Sequence, residues 1–147
     1  MTSRIDNNID ELIRAVMDKA EFSDFVFYPA YPPREVPTPI EKYTVAVENV
    51  SVRTAQGFIG GAVAENSKGA LFEAKVRLRV YAPRLSSGEA LLRATSVLAD
   101  ALKDAYSVGS VDDIELKQIK HDLAVRTAYR DIEFNYSCVL LKEAGHD

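Results

Sequence analysis

Two histidines, one cysteine and 22 acidic side chains are the groups in this 147-residue sequence whose chemistry suits catalysis or metal binding. His121 stands in a Lys-His-Asp turn and His146 is the penultimate residue. A metal site takes several converging ligands, and His121 with Asp122 reads as a turn, so no metal-binding set is expected. Cys138 sits between Tyr136 and the run Val139-Leu140-Leu141, which makes it a small buried hydrophobe with no base beside it. A lone cysteine also cannot close an intrachain disulfide, which suits a reducing cytoplasm. Of the carboxylates, Asp112 and Asp113 point to opposite sides of an extended chain, and Asp131 and Glu133 read as lying on a solvent-facing strand edge. Acid-base catalysis by paired carboxylates requires them to converge in a cleft. The sequence therefore predicts no catalytic residue, no cofactor and no metal.

The stretch Gly57-Phe58-Ile59-Gly60-Gly61 has the glycines of a phosphate-cradling loop but not the context. Such a loop opens a helix directly after a strand, with a lysine and a hydroxyl following in register, and neither follows here. The apolar Phe58, Ile59 and Val63 within it are unusual for a free loop and mark a docking surface. The formal net charge of -4 comes from 22 acidic and 18 basic side chains interleaved along the chain. Sequence-independent DNA or RNA binding needs a concentrated cationic face to displace counterions, and none is visible; no sequence-specific nucleic-acid partner is expected either. The opening residues lack the apolar stretch of a signal peptide, and no run reaches the length of a membrane-spanning helix, so the reading is a soluble intracellular protein without a membrane partner.

The elements that must hold these residues follow from periodicity. Hydrophobic residues make up 47% of the chain and charged residues 27%, a globular balance in one domain over residues 1–147. Asn7 or Asn8, with Glu11, predicts a capped first helix running to about Ala20. Ile9, Leu12, Ile13, Val16 and Ala20 form its apolar stripe, while Asp10, Glu11, Arg14 and Asp18 face water. Residues 28–40 hold five of the six prolines and predict a stiff extended connector rather than a helix or central strand.

Alternation from Tyr43 toward Val52 predicts one strand, and residues 70–81 predict a stronger one with Phe72, Ala74, Val76, Leu78 and Val80 on its buried side. Lys75, Arg77 and Arg79 fall on the opposite side, together with Glu73. Between the two strands, residues 54–69 carry four of the seven glycines and predict a long working loop. Ser86 and Glu89 predict a capping box opening a second helix to about Ala105, with Leu91, Thr95, Leu98 and Leu102 as its seam. Gly109 and Asp112-Asp113 read as a turn, residues 114–119 as a short strand, and residues 129–141 as a long half-buried strand. The sum is an α+β domain: an antiparallel sheet of about four strands, two helices packed on one face, and a long glycine-rich loop between the central strands.

The run Phe72-Glu-Ala-Lys-Val-Arg-Leu-Arg-Val-Tyr-Ala-Pro83 feeding a capped helix resembles the tail terminator (tail completion) proteins of long-tailed bacteriophages. The closing Arg130-Asp-Ile-Glu-Phe-Asn-Tyr136 strand after Asp113-Ile-Glu-Leu is similar to that family's ending, and the likeness spans about residues 6–141. The Pro-rich segment departs from it. The resemblance implies a virion component assembled in the bacterial host cytoplasm, without cofactor. It implies a ring, usually of six copies, that caps the tail tube protein and meets the head-tail connector.

By position, the expected contacts are Gly57, Phe58, Ile59, Gly60, Gly61 and Val63 of the loop, with Lys75, Arg77, Arg79, Asp131 and Glu133 of the strands. Heterologous contacts close rings, and these charges have two arrangements open to them: across a boundary between copies, or within one sheet. Another head-tail joining or minor tail protein shares the class. A small-ligand-binding or enzymatic α+β domain, with the glycine loop as its lid, is the alternative of a different class.

Overall fold

The computed structural model describes residues 4–29, 36–54, 67–104 and 109–143. The first helix, α1, spans Arg4–Met17, and its stripe of Ile9, Leu12, Ile13 and Val16 is buried. Glu11, Arg14 and Asp18 are exposed as the period predicts. Three expectations are corrected: Asn7 and Asn8 lie inside the helix instead of capping it, Asp10 is buried instead of solvent-facing, and Ala20 lies beyond the helix and is exposed instead of closing its apolar stripe. At about 100° per residue, Asp10 falls beside Met17 on the flank of the apolar stripe rather than opposite it. The α-helix ends at Met17, and a 3₁₀ turn, Ala20–Phe22, carries the buried Phe22.

The second helix, α2, spans Gly88–Lys103. Its N-cap is Ser87, whose hydroxyl accepts a hydrogen bond from the Ala90 amide at 3.1 Å, one residue later than the predicted Ser86 cap. Glu89 does not close the predicted capping box; its carboxylate accepts from Arg93 at 3.4 Å, one turn along. The predicted seam of Leu91, Thr95, Leu98 and Leu102 is buried.

Among the described residues six strands form the sheet: β1 (Val26–Tyr28), β2 (Thr44–Thr54), β3 (Ser67–Tyr81), β4 (Gly109–Leu116), β5 (Lys120–Asp122) and β6 (Thr127–Glu143). The order is β1-β2-β3-β6-β4, with β5 also pairing β6. The fold is α+β with a mixed, mostly antiparallel sheet, because β1 runs parallel to β2 and the other pairings of these strands are antiparallel. The predicted count of four missed β1 and β5, each three residues long and too short to show a period. The predicted turn at Gly109 is instead the start of β4, with its irregularity between Asp112 and Glu115.

Alternation along the paired strands builds the core. Val45, Ala74, Val76, Leu78, Val80, Ile132, Phe134, Tyr136 and Cys138 share one buried cluster with the stripe of α1 and the seam of α2. Register sets Val76 opposite Phe134 and Leu78 opposite Ile132, so large side chains stack in rows across the strands. On the other face, Ile40, Ala46 and Tyr81 form a smaller buried cluster, flanked by Tyr28, Val36, Val125 and Tyr129. Val36 and Ile40, from the described end of the Pro-rich segment, pack on that face just before β2.

Candidate interaction surfaces on the sheet and the helix side

The sheet face turned away from the main core carries the charges that the alternation predicted. Register places Arg79 opposite Asp131 and Arg77 opposite Glu133. Arg79 donates through Nε to Asp131 Oδ1 at 2.8 Å and through Nη2 to Oδ2 at 3.0 Å, a two-pronged pairing. Its guanidinium also lies 4.1 Å from the centre of the Tyr129 ring. The bond to Asp131 holds the Arg79 pKa above its ordinary value.

Glu133 gathers three cations. Its Oε2 accepts from Arg77 Nε at 2.9 Å, while its Oε1 lies 3.7 Å from Lys75 Nζ and 3.9 Å from Lys117 Nζ. Lys117 also bonds Glu115, which lowers the pKa of that carboxyl and raises that of the ammonium. Of the two arrangements left open by the sequence, these distances are those of pairing within one sheet. The predicted solvent-facing edge for Asp131 and Glu133 is corrected: β6 lies between β3 and β4, and their side chains are only 14% and 11% exposed.

Beyond the ion pairs the polar face opens into a trough of about 650 Å³ across four strands. Arg53 of β2 stands at one side, bonded to Glu73 at 2.6 Å, and Asp112 and Asp113 of β4 stand at the other. The predicted divergence of Asp112 and Asp113 is corrected, since both line this trough. Asp113 has a φ of 53°, within the strand irregularity, and accepts from Asn135 Nδ2 at 3.0 Å. Left-handed backbone is a conformation that aspartate adopts more readily than most residues. Trough and ion pairs together form a polar surface on which the strand register fixes the pattern of charge.

Gly57, Phe58, Ile59, Gly60, Gly61 and Val63 lie outside the described residues. His121 is exposed on β5, and Cys138 is buried on β6, where burial pushes its thiol pKa up against the opposing effect of a hydrogen bond from Asn8. Among the described residues no three or more His, Cys, Asp or Glu side chains come together as a metal-binding group, and no helix is long and apolar enough to cross a membrane.

A second surface lies on the helix side, where residue spacing alone predicts none. Between the 3₁₀ turn and α2, a groove of about 280 Å³ is lined by Phe22, Phe25, Ala90, Ala94 and Val97, with Glu21 and Arg93 among its lining residues. Phe22 meets Phe25 edge to face at 5.2 Å, and Phe25 stacks on Tyr43 at 5.1 Å, which fixes the groove's aromatic wall. The signal available in sequence was the Phe22/Phe25 pair at helical spacing directly after the first helix. Two leucines on turns are almost wholly solvated, Leu85 at 99% and Leu123 at 88% exposure.

The chain matches no family model, and a search of curated proteins gives no match.

Proposed function

We propose that this chain is a structural subunit of a phage or prophage virion, a tail terminator whose copies close into a ring that caps the tail tube and meets the head-tail connector. In this reading both helices back one face of the sheet, the other face carries the ion pairs and trough beside one small apolar cluster, and the protein works by contact, with no reaction and no cofactor.

The observation that carries the proposal is the continuous pairing of β3 with β6 through fifteen positions, Ser67 with Glu143 to Tyr81 with Tyr129. A long, doubly flanked antiparallel pair is stiff, and it presents a fixed pattern of charge beside an open trough, as a subunit bearing load between assemblies requires. The motif resemblance at residues 72–83 and 130–136 supplies the identity of the assembly. The test is to mix the purified chain with a tail tube protein from the same genome and image the product by electron microscopy. Rings seated on tube ends support the proposal, and bare tubes with dispersed protein count against it.

One observation favours a second reading. The trough of about 650 Å³ has cationic and anionic groups on opposite sides, a distribution suited to a small zwitterionic ligand. A ligand-dependent rise in melting temperature of a monomeric protein, removed by Asp112→Asn with Asp113→Asn, would favour that reading over the ring.

A further inference from the structure

Leu85 lies in the turn between β3 and α2 with a φ of 68° and a side chain 99% exposed. That backbone region disfavours leucine and is ordinarily filled by glycine or asparagine. The side chain therefore occupies a disfavoured position and gains no burial within its own chain. Nearby, α2 presents the groove lined by Phe22, Phe25, Ala90, Ala94 and Val97, an apolar hollow of about 280 Å³. One chain thus offers both an apolar knob and an apolar hole.

Charge allows one pairing as well, since of the two charged residues lining the groove Arg93 is already paired with Glu89 and Glu21 is an anion. Arg84 precedes Leu85, and its side chain makes an exposed 3.4 Å pairing with Glu41, a weak contact that leaves the guanidinium available to a closer partner. Glu21 stands at the groove, on the side of the 3₁₀ turn. We propose that the Arg84-Leu85 turn of one copy docks in the groove of a second copy, with Leu85 between Phe25 and Val97 and Arg84 paired to Glu21. The inference deepens the ring reading and rests on it in one respect, that copies of this chain associate. A knob that fits a different patch on the next copy is a heterologous contact, the class that propagates around a ring.

The test uses full-length chains in which Cys138→Ala removes the native thiol, so that each variant carries one introduced cysteine. ¹⁵N-labelled Leu85→Cys is mixed with unlabelled Val97→Cys under mild oxidation, and disulfide-linked peptides are identified by mass spectrometry. The expected result is an interchain 85–97 bond between labelled and unlabelled chains. Leu123→Cys, an equally solvated leucine on another turn, is expected to give none with Val97→Cys; an 85–97 yield no greater than the 123–97 yield overturns the proposal.

A second arm measures assembly by analytical ultracentrifugation. Leu85→Asp is expected to weaken self-association roughly tenfold or more while leaving the circular dichroism spectrum unchanged. Arg84→Glu is expected to weaken it too, with recovery in the Arg84→Glu/Glu21→Arg double variant. If wild type and Leu85→Asp assemble alike, the contact is wrong and the ring reading survives. If the wild type is monomeric at every concentration, the ring reading fails and the contact with it.

Discussion

Glu133 holds the polar face together at the level of single residues, because one carboxylate with little exposure faces Arg77, Lys75 and Lys117. Replacing it by glutamine leaves three cations without this anion, although the exposure of the lysines lets water screen part of that cost. We expect Glu133→Gln to lower unfolding stability by about 1–3 kcal/mol, read as a shift of the urea midpoint at unchanged slope. Glu115→Gln, at a solvated position, should leave that midpoint in place.

Cys138 carries a second expectation at this scale. Its thiol pKa is raised chiefly by burial, so the folded state disfavours thiolate. The stability this contributes is fully present below the ordinary thiol pKa and is lost as pH rises through the raised one. Labelling with a thiol reagent near pH 8 should be slow in native buffer and complete in urea, and rapid native labelling would contradict the burial. The charged residues and the two sets that could pair were legible from sequence, but which arrangement holds and which residue meets which were not. Arg77 and Glu133 are 56 positions apart, and only the strand register, a product of long-range pairing, brings them to 2.9 Å.

Among elements, the long periodic ones were the legible ones. The core residues of β3 and β6, the seam of α2 and the stripe of α1 all follow from spacings of two, three and four. Boundaries followed less well, because two adjacent serines both satisfy the local signal for a cap and the fold selects Ser87. We expect Ser87→Ala to cost about 1 kcal/mol and Ser86→Ala to stay within about 0.5 kcal/mol, measured by thermal or urea unfolding. The Asp112-Asp113 pair was misread as a turn because a strand irregularity and a turn use the same residue types. Of the apolar groove only the Phe22/Phe25 pair left a signal in the sequence, since its walls come from a 3₁₀ turn and a helix face more than sixty residues apart in the chain. Hydrogen exchange provides the element-level check: amides in the middle of β3 and β6 should exchange slowest, and those of β1 and β5 much faster.

At the scale of the whole molecule, the described residues form a mixed sheet, one face packed into the main core and the other carrying ion pairs, a trough and the small cluster of Ile40, Ala46 and Tyr81. The strand charges expected at a boundary between copies are paired inside each copy. Contacts between copies of a ring-forming subunit would therefore fall on surfaces that the ion pairs leave open, the Arg84-Leu85 turn and the groove beside α2 foremost. Ring formation itself can be read from native mass spectrometry of the purified full-length chain across a range of concentrations. One closed oligomer of fixed stoichiometry, near six copies, is the expected result, whereas a monomer at every concentration would contradict it.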